Sequence, residues 1–359
     1  MSAAVRVLVV DDSALMRKLI PQVLESDKAI EVVGTAMDGN FALKKIEELR
    51  PQVITLDLEM PGLNGIDTLK AIMRKHRLPV IVVSSHTTSG ASITLKALAL
   101  GAFDFVAKPQ EVSGHMPEIA NELISKIKAA AHCKGINVQP VPETAARISK
   151  SAAPSGPATR IIAIGISTGG PNALQHVLSQ LPGDFPGSIL IVQHMPEGFT
   201  EMFARRLDES CSIRVKEAVS GDLLLSGRAL ICPGNRHLKV KRLPLGEVAV
   251  LSDDPRVNGH RPSVDVLFRS LAEEFGSRGI AVLMTGMGED GAAGLGTVKK
   301  AGGVTIAQSE DSCVVFGMPK AAIERGFAAR VIHLDALANT LQAQCGSRGE
   351  EKAAQAGKN

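Results

Sequence analysis

The chain has no tryptophan and no tyrosine, and phenylalanine alone supplies its 3% of aromatics. Stacking of single-stranded nucleic acid or RNA needs aromatic platforms, so that class of function is excluded. An excess of charge of one sign is also missing. The net charge of +3 is too small for a strong polyanion-attracting field. With no basic stripe and no helix-turn-helix pattern, no nucleic-acid partner is expected. The five cysteines (Cys133, Cys211, Cys232, Cys313 and Cys345) are odd in number and lack CxxC spacing. They read as reduced thiols of a cytoplasmic protein, not as a disulfide frame or a zinc site. No apolar run approaches bilayer-spanning length, and Asp11-Asp12 interrupt the first one. Neither a signal peptide nor direct membrane insertion is expected.

What is present is an ordinary α/β composition, 45% hydrophobic and 21% charged. The 359 residues suffice for two domains with sizeable cores. The stretch VQPVPETAARISKSAAPSGPAT lacks a sustained apolar period and is rich in Pro, Ala and Ser, so it reads as a linker. Before it come VRVLVV, AIEVVGTA, PQVITLDL, PVIVVSS and FDFVAK, each followed by a helical pattern. They predict a parallel sheet covered on both faces. After it come RIIAIGI, SILIVQH, RALICP, EVAVLS, GIAVLMTG, GVTIAQS and RVIHL, several separated by helical stretches. They predict a second α/β domain. The expected division is a first domain at 1–130, a linker at 131–159, a second domain at 160–345 and a disordered tail at 346–359.

In the first half Asp11 and Asp12 fall just past the first strand and Asp57 ends the third. The carboxyl ends of the strands form the ligand crevice of an open α/β sheet. Three carboxylates meeting there repel one another unless a cation intervenes, and Mg²⁺ suits an oxygen-rich, partly hydrated site. Ser84 ends the fourth strand and Lys108 follows the fifth. A hydroxyl and an ammonium beside a metal-bound aspartate are what an incoming phosphoryl group needs, with Asp57 as the nucleophile. Taken alone, Asp11-Asp12 is explained as well by a helix N-cap and first-turn acid. Five fitting residue types at successive strand ends are not. With VVDDS, ITLDLEMPGLNGID, VSS and AKP in order, residues 1 to about 130 resemble a two-component receiver domain. That resemblance implies a flavodoxin-like (βα)5 fold and phosphorylation at Asp57. It also implies metal acids at Asp11, Asp12 and Asp57, and a phosphate pocket with Ser84 and Lys108. The family's aromatic switch position falls at Phe105, which has no hydroxyl and serves equally well as a core residue.

In the second half IAIGISTGGP runs from a strand into a tight turn and then a helix. Gly165-Ile166-Ser167-Thr168-Gly169 matches GxSxG, which presents a serine at a strand end. A serine hydroxyl needs an adjacent base held by a third group. His194 ends the next strand, and Asp290 lies in the Gly-rich turn MGEDG after IAVLMTG. Each has a plain alternative: a structural hydrogen-bonder for His194, a turn or N-cap residue for Asp290, an N-cap for Ser167. One spatial arrangement, a Ser-His-Asp triad on a common rim, accounts for all three. In α/β-hydrolases the acid precedes the histidine, so the order here excludes that fold. GISTGG also places Ser where a dinucleotide fingerprint has its second glycine.

IGISTGGP, LIVQHMPEGFT, ICPGNRHL, GHRPSVDVLFRS and LMTGMGEDGAAG resemble the catalytic domain of the chemotaxis protein-glutamate methylesterases, CheB. With the receiver domain and linker, the likeness covers nearly the whole chain. It implies a doubly wound, mainly parallel, Rossmann-like catalytic domain with the triad Ser167, His194 and Asp290. Thr168 and Met287 would supply the oxyanion-hole amides. The implied activity is hydrolysis of glutamate methyl esters on methyl-accepting chemoreceptors, with deamidation of glutamines as a second activity. The implied phosphodonor is a chemotaxis histidine kinase. Unphosphorylated, the receiver is expected to restrain the esterase. Arg205 and Arg206, after His194, are candidates to face an acidic receptor surface or are simply solvated. The rival classes are a non-enzymatic receiver-linked regulator and a dehydrogenase, the latter lacking a clean GxGxxG.

Overall fold

The computed structural model describes residues 4–60, 62–85, 87–108, 116–132 and 156–356. The chain divides into two compact units, Met1–Glu143 and Thr144–Asn359. In the first, β1 (Val5–Val10), α1 (Met16–Leu24), β2 (Ile30–Ala36), α2 (Gly39–Leu49), β3 (Val53–Asp57), α3 (Gly65–Lys75), β4 (Val80–Ser84), α4 (Thr88–Ala99), β5 (Asp104–Ala107) and α5 (Met116–His132) alternate strictly. The strands form one parallel sheet in the order β2-β1-β3-β4-β5. Every residue of β3, β4 and β5 is buried, as their unbroken apolar runs require of a sheet covered on both faces. Helix starts follow local chemistry. Asp38, Asn64 and Thr87 each accept a hydrogen bond from a first-turn amide of α2, α3 and α4. The chain reverses direction across the sheet between β1 and β3, which opens the crevice there.

The second unit contains β6 (Ile161–Ile166), α6 (Gly170–Leu178), β7 (Ser188–Gln193), α7 (Phe199–Ser210), β8 (Arg214–Glu217) and β9 (Arg228–Ile231). There follow β10 (His237–Leu243), β11 (Gly246–Ser252), α8 (Val264–Phe275), β12 (Gly279–Leu283), α9 (Ala292–Lys300), β13 (Val304–Gln308), α10 (Met318–Glu324), β14 (Arg330–Ile332) and α11 (Leu334–Ala356). Seven strands form a parallel sheet in the order β14-β13-β12-β6-β7-β9-β8. The expected doubly wound, mainly parallel architecture is therefore present. EVAVLS reads like the other buried runs, yet it forms β11 and pairs antiparallel with β10 outside that sheet. Helix α8 is the central core element. Its Val264, Leu267, Phe268 and Leu271 are fully buried, each side chain contributing roughly 1.5–3 kcal/mol of burial.

Two stretches differ from the sequence-based expectation or escape it. Helix α11 continues to Ala356, so residues 346–356 are helical where a disordered tail is expected. Glu, Lys, Gln and Ala in that stretch are strong helix formers and carry the preceding helix onward. Of the expected linker 131–159, Ala131 and His132 end α5 and Gly156–Thr159 join the second unit. Residues 133–155 lie outside the described residues, as do 357–359.

Candidate active site and phosphoacceptor pocket

In the first unit, the ends of β1, β3 and β5 bring four of the five expected side chains together. Lys108 Nζ lies 2.6 Å from Asp57 Oδ2 and 3.1 Å from Asp11 Oδ2. Ligand atoms of Asp11, Asp12 and Asp57 all fall within 4.8 Å of one another. Asp11 and Asp57 are buried and Asp12 is exposed. The Asp57 carboxyl also accepts from the Glu59 amide at 3.1 Å, and Asp11 accepts from Ser13 at 2.9 Å. Burial pushes the Asp57 carboxyl up, only partly opposed by Lys108. Burial pulls the Lys108 ammonium down, but Asp57 and Asp11 overcome this and raise it. Asp11 Oδ2 is buried and, though ion-paired with Lys108, accepts no hydrogen bond among the described residues. A divalent cation fits this donor set: three carboxylates, one open to water, with an oxygen short of partners.

Ser84 ends β4, one residue beyond the partner of Asp57 in the sheet register. Its hydroxyl is engaged elsewhere, accepting from Thr94 Oγ1 at 2.6 Å and reaching the Gly90 carbonyl at 3.3 Å. Phe105 is a buried β5 residue, with Lys126 Nζ 5.4 Å above its ring. It occupies the core position that its lack of a hydroxyl also allows.

In the second unit, Ser167 follows β6 and His194 follows β7. These strands pair in parallel with Ile166 opposite Gln193, so Ser167 and His194 leave the sheet side by side. The His194 amide donates to the Ile166 carbonyl at 3.1 Å. Asp290 comes from the turn between β12, the other neighbour of β6, and α9. His194 Nε2 and Asp290 Oδ2 are hydrogen-bonded at 2.9 Å, with the two side chains 10% and 1% exposed. The remaining nitrogen, Nδ1, is buried and without a hydrogen-bond partner among the described residues. The Ser167 hydroxyl likewise makes no hydrogen bond there, so the Ser167–His194 link is not closed in this structure. Catalytic hydrogen bonds of a substrate-free enzyme often tighten only on binding.

Asp290 is held by more than His194. Ser263 Oγ donates to Oδ1 at 2.7 Å, Asn258 Nδ2 to Oδ1 at 3.0 Å and the Val264 amide to Oδ2 at 2.7 Å. Val264 opens α8, so the helix N-terminus faces the carboxylate. Burial alone would raise the Asp290 carboxyl. The His194 hydrogen bond and charge, with the Ser263 and Asn258 donors, instead hold it well below the usual range. Helix α8 comes this close because residue 165 is glycine. A Cβ there would stand 2.1 Å from Val264 Cγ1.

Thr285 ties the serine turn to its surroundings. Its carbonyl accepts from the Ser167 amide at 3.0 Å. Its hydroxyl donates to the Thr168 carbonyl at 3.0 Å and accepts from the Val315 amide at 3.0 Å. The next residue, Gly286, packs so tightly on Ser167 that a Cβ would stand 2.8 Å from Ser167 Cβ. The turn carrying Met287 is thereby brought beside Ser167. Neither the Thr168 nor the Met287 amide donates to a protein acceptor among the described residues. Gln193 Nε2 bonds both the Ser167 and the His194 carbonyls, at 3.0 and 3.2 Å.

Asn258, Ser263, Thr285 and Gln193 are not singled out by sequence reasoning. Asn258 precedes and Ser263 ends the quoted GHRPS stretch, whose density of polar and turn residues is the available signal. Arg205 is exposed on α7 and paired with Glu201 at 2.6 Å, while Arg206 is half-buried. Cys211, Cys232, Cys313 and Cys345 are free, and burial pushes the Cys313 and Cys345 thiols up to about 12. Cys133 lies outside the described residues. Among those residues, no helix is long and apolar enough to cross a membrane.

Comparison with known proteins adds an independent line. The family described as CheB methylesterase matches residues 162–341, and the response regulator receiver domain matches residues 7–118. The chain is 63% identical over 348 residues to a Koribacter versatilis protein named protein-glutamate methylesterase/protein-glutamine glutaminase 2. That alignment covers 95% of this chain and 96% of the relative. A Halalkalibacterium halodurans protein-glutamate methylesterase/protein-glutamine glutaminase is 48% identical over 347 residues, 96% of this chain and 99% of the relative. The crystal structure of the Thermotoga maritima CheB methylesterase catalytic domain aligns with a TM-score of 0.50 at 42% identity. It covers 52% of this chain and 98% of that one.

Proposed function

Since the chain belongs to the CheB methylesterase family and carries a response regulator receiver domain, we propose that it is a phosphorylation-regulated serine esterase. It hydrolyses glutamate methyl esters on methyl-accepting chemoreceptors to glutamate and methanol, and deamidates receptor glutamines, in chemotaxis adaptation. The observation that carries the site assignment is the part-buried His194–Asp290 hydrogen bond, with Ser167 leaving the sheet beside His194.

Ser167 Oγ attacks the ester carbonyl as His194 Nδ1 takes its proton. Asp290, bonded to Nε2, orients the ring and stabilises the imidazolium. The Thr168 and Met287 amides stabilise the oxyanion, each worth about 3 kcal/mol in comparable sites. His194 then protonates the leaving methoxide, releasing methanol. A water deprotonated by His194 attacks the acyl-enzyme, freeing the glutamate carboxylate and restoring Ser167. With a glutamine substrate the leaving group is ammonia.

Regulation enters at Asp57, which accepts a phosphoryl group from a chemotaxis histidine kinase while Lys108 pairs with the new charge. Asp11, Asp12 and Asp57 would hold a Mg²⁺, which when bound offsets charge on the phosphoryl oxygens. Ser84 must turn from Thr94 to reach that group. The free cysteines accord with a cytoplasmic location. The test is methanol release from methylated receptor membranes. Ser167→Ala should abolish it while leaving Asp57 phosphorylation intact. Full activity in that variant would overturn the assignment.

A further inference from the structure

Segment 253–263, between β11 and α8, reaches the site at three points. Asn258 and Ser263 bind Asp290, and the ring of His260 lies flat on the ring of His194. The two centroids are 4.0 Å apart and the planes within 5°. The half-buried His260 is carried on a fixed frame. Val257 and His260 exchange backbone hydrogen bonds at 3.0 and 2.9 Å. The Arg261 guanidinium donates to Asn235 Oδ1 at 2.8 Å and to the Asp253 carbonyl at 3.0 Å. Buried His237 accepts from the Ser263 amide at Nδ1 (3.2 Å), which leaves its Nε2–H to donate to the Pro255 carbonyl (3.1 Å).

The Asp290 hydrogen bond fixes only one atom of the His194 ring, Nε2. The ring can still swing about that contact, which would displace Nδ1, the nitrogen that must reach first Ser167 and then the leaving group. A planar group stacked on the imidazole removes that freedom, because tilting the ring would break face-to-face contact. It also keeps water off one face of the ring. We propose that His260 is a positioning residue for the hydrolysis, holding the plane of the His194 ring through the stack. The inference rests on His194 being the base.

Steady-state methanol release by the full chain tests it, with His260→Ala, His260→Phe and His194→Ala compared. Misplacement of the base affects the chemical step, so His260→Ala should lower kcat roughly 10–100-fold with KM within about twofold. The flat, non-titratable ring of His260→Phe should restore kcat to within about fivefold of wild type. A His260→Ala kcat within about twofold of wild type overturns the inference, as does His260→Phe being as slow as His260→Ala. If His260→Ala fails to fold, His260→Leu takes its place, filling volume without a flat face. An active His194→Ala would instead sink the assignment of the base. An inactive His194→Ala beside a fully active His260→Ala removes only the role of the stack.

Discussion

Asp290→Asn isolates the charge of the acid with almost no change of shape. The carboxylate accepts from His194 and Val264 at Oδ2 and from Ser263 and Asn258 at Oδ1, with the Asp265 amide at 3.4 Å. An amide has a single accepting oxygen. If that oxygen stays with Ser263 and Asn258, the new NH₂ faces the Val264 amide and His194 Nε2. His194 can respond by moving its proton to Nδ1, but that tautomer cannot accept the proton of Ser167. Losing one charge-assisted hydrogen bond to His194 and one to a buried amide costs about 1.5–3 kcal/mol each. If both are felt in the transition state, the barrier rises by about 3–6 kcal/mol, a fall in kcat of roughly 10²–10⁴-fold. The assay is the initial rate of methanol release at saturating methylated receptor, with circular dichroism to establish folding. A folded Asp290→Asn retaining more than about a tenth of wild-type kcat would refute the reasoning.

Other outcomes follow from the same geometry. Thr285→Val strands the buried Thr168 carbonyl, at about 1–3 kcal/mol, and leaves the part-buried Val315 amide without its acceptor. Urea denaturation should show that loss, and Thr285→Ser should recover most of it. The depressed Asp290 carboxyl contributes stability that is complete above the unfolded carboxylate pKa of about 3.9 and is lost as pH falls toward its folded value. The stability gap between wild type and Asp290→Asn should therefore narrow on acidification, and a gap independent of pH would contradict the assignment. Asp57→Asn should leave the basal esterase rate unchanged but abolish its rise with a small-molecule phosphodonor. A chain beginning at Arg160 should outpace the unphosphorylated full chain, and equal rates would dispose of restraint by the receiver.

What local pattern encodes was legible, and what tertiary approach creates was not. Asp57 in the first sheet, and Ser167 and His194 in the second, stand where apolar runs end, and within each parallel sheet those ends share one rim. Their positions could thus be inferred from periodicity and chain order. The hairpin partner β10 shows no such run, because Lys239, Lys241 and Arg242 break up its apolar residues. The direction of the Ser84 hydroxyl depends on Thr94, ten residues away on α4. The contacts of Asn258 and His260 arise only when segment 253–263 folds across two other elements. Such placements leave no period in the sequence, and a polar, turn-rich stretch was their sole mark.

The donor set around Asp290 has a kinetic consequence. In water, a carboxylate facing a newly charged imidazole relies on solvent dipoles that must reorient as the charge appears. Here the dipoles are amides and side chains already fixed in place by α8 and its preceding segment. On the proposed mechanism, little reorganisation energy is then left for the proton transfer to overcome.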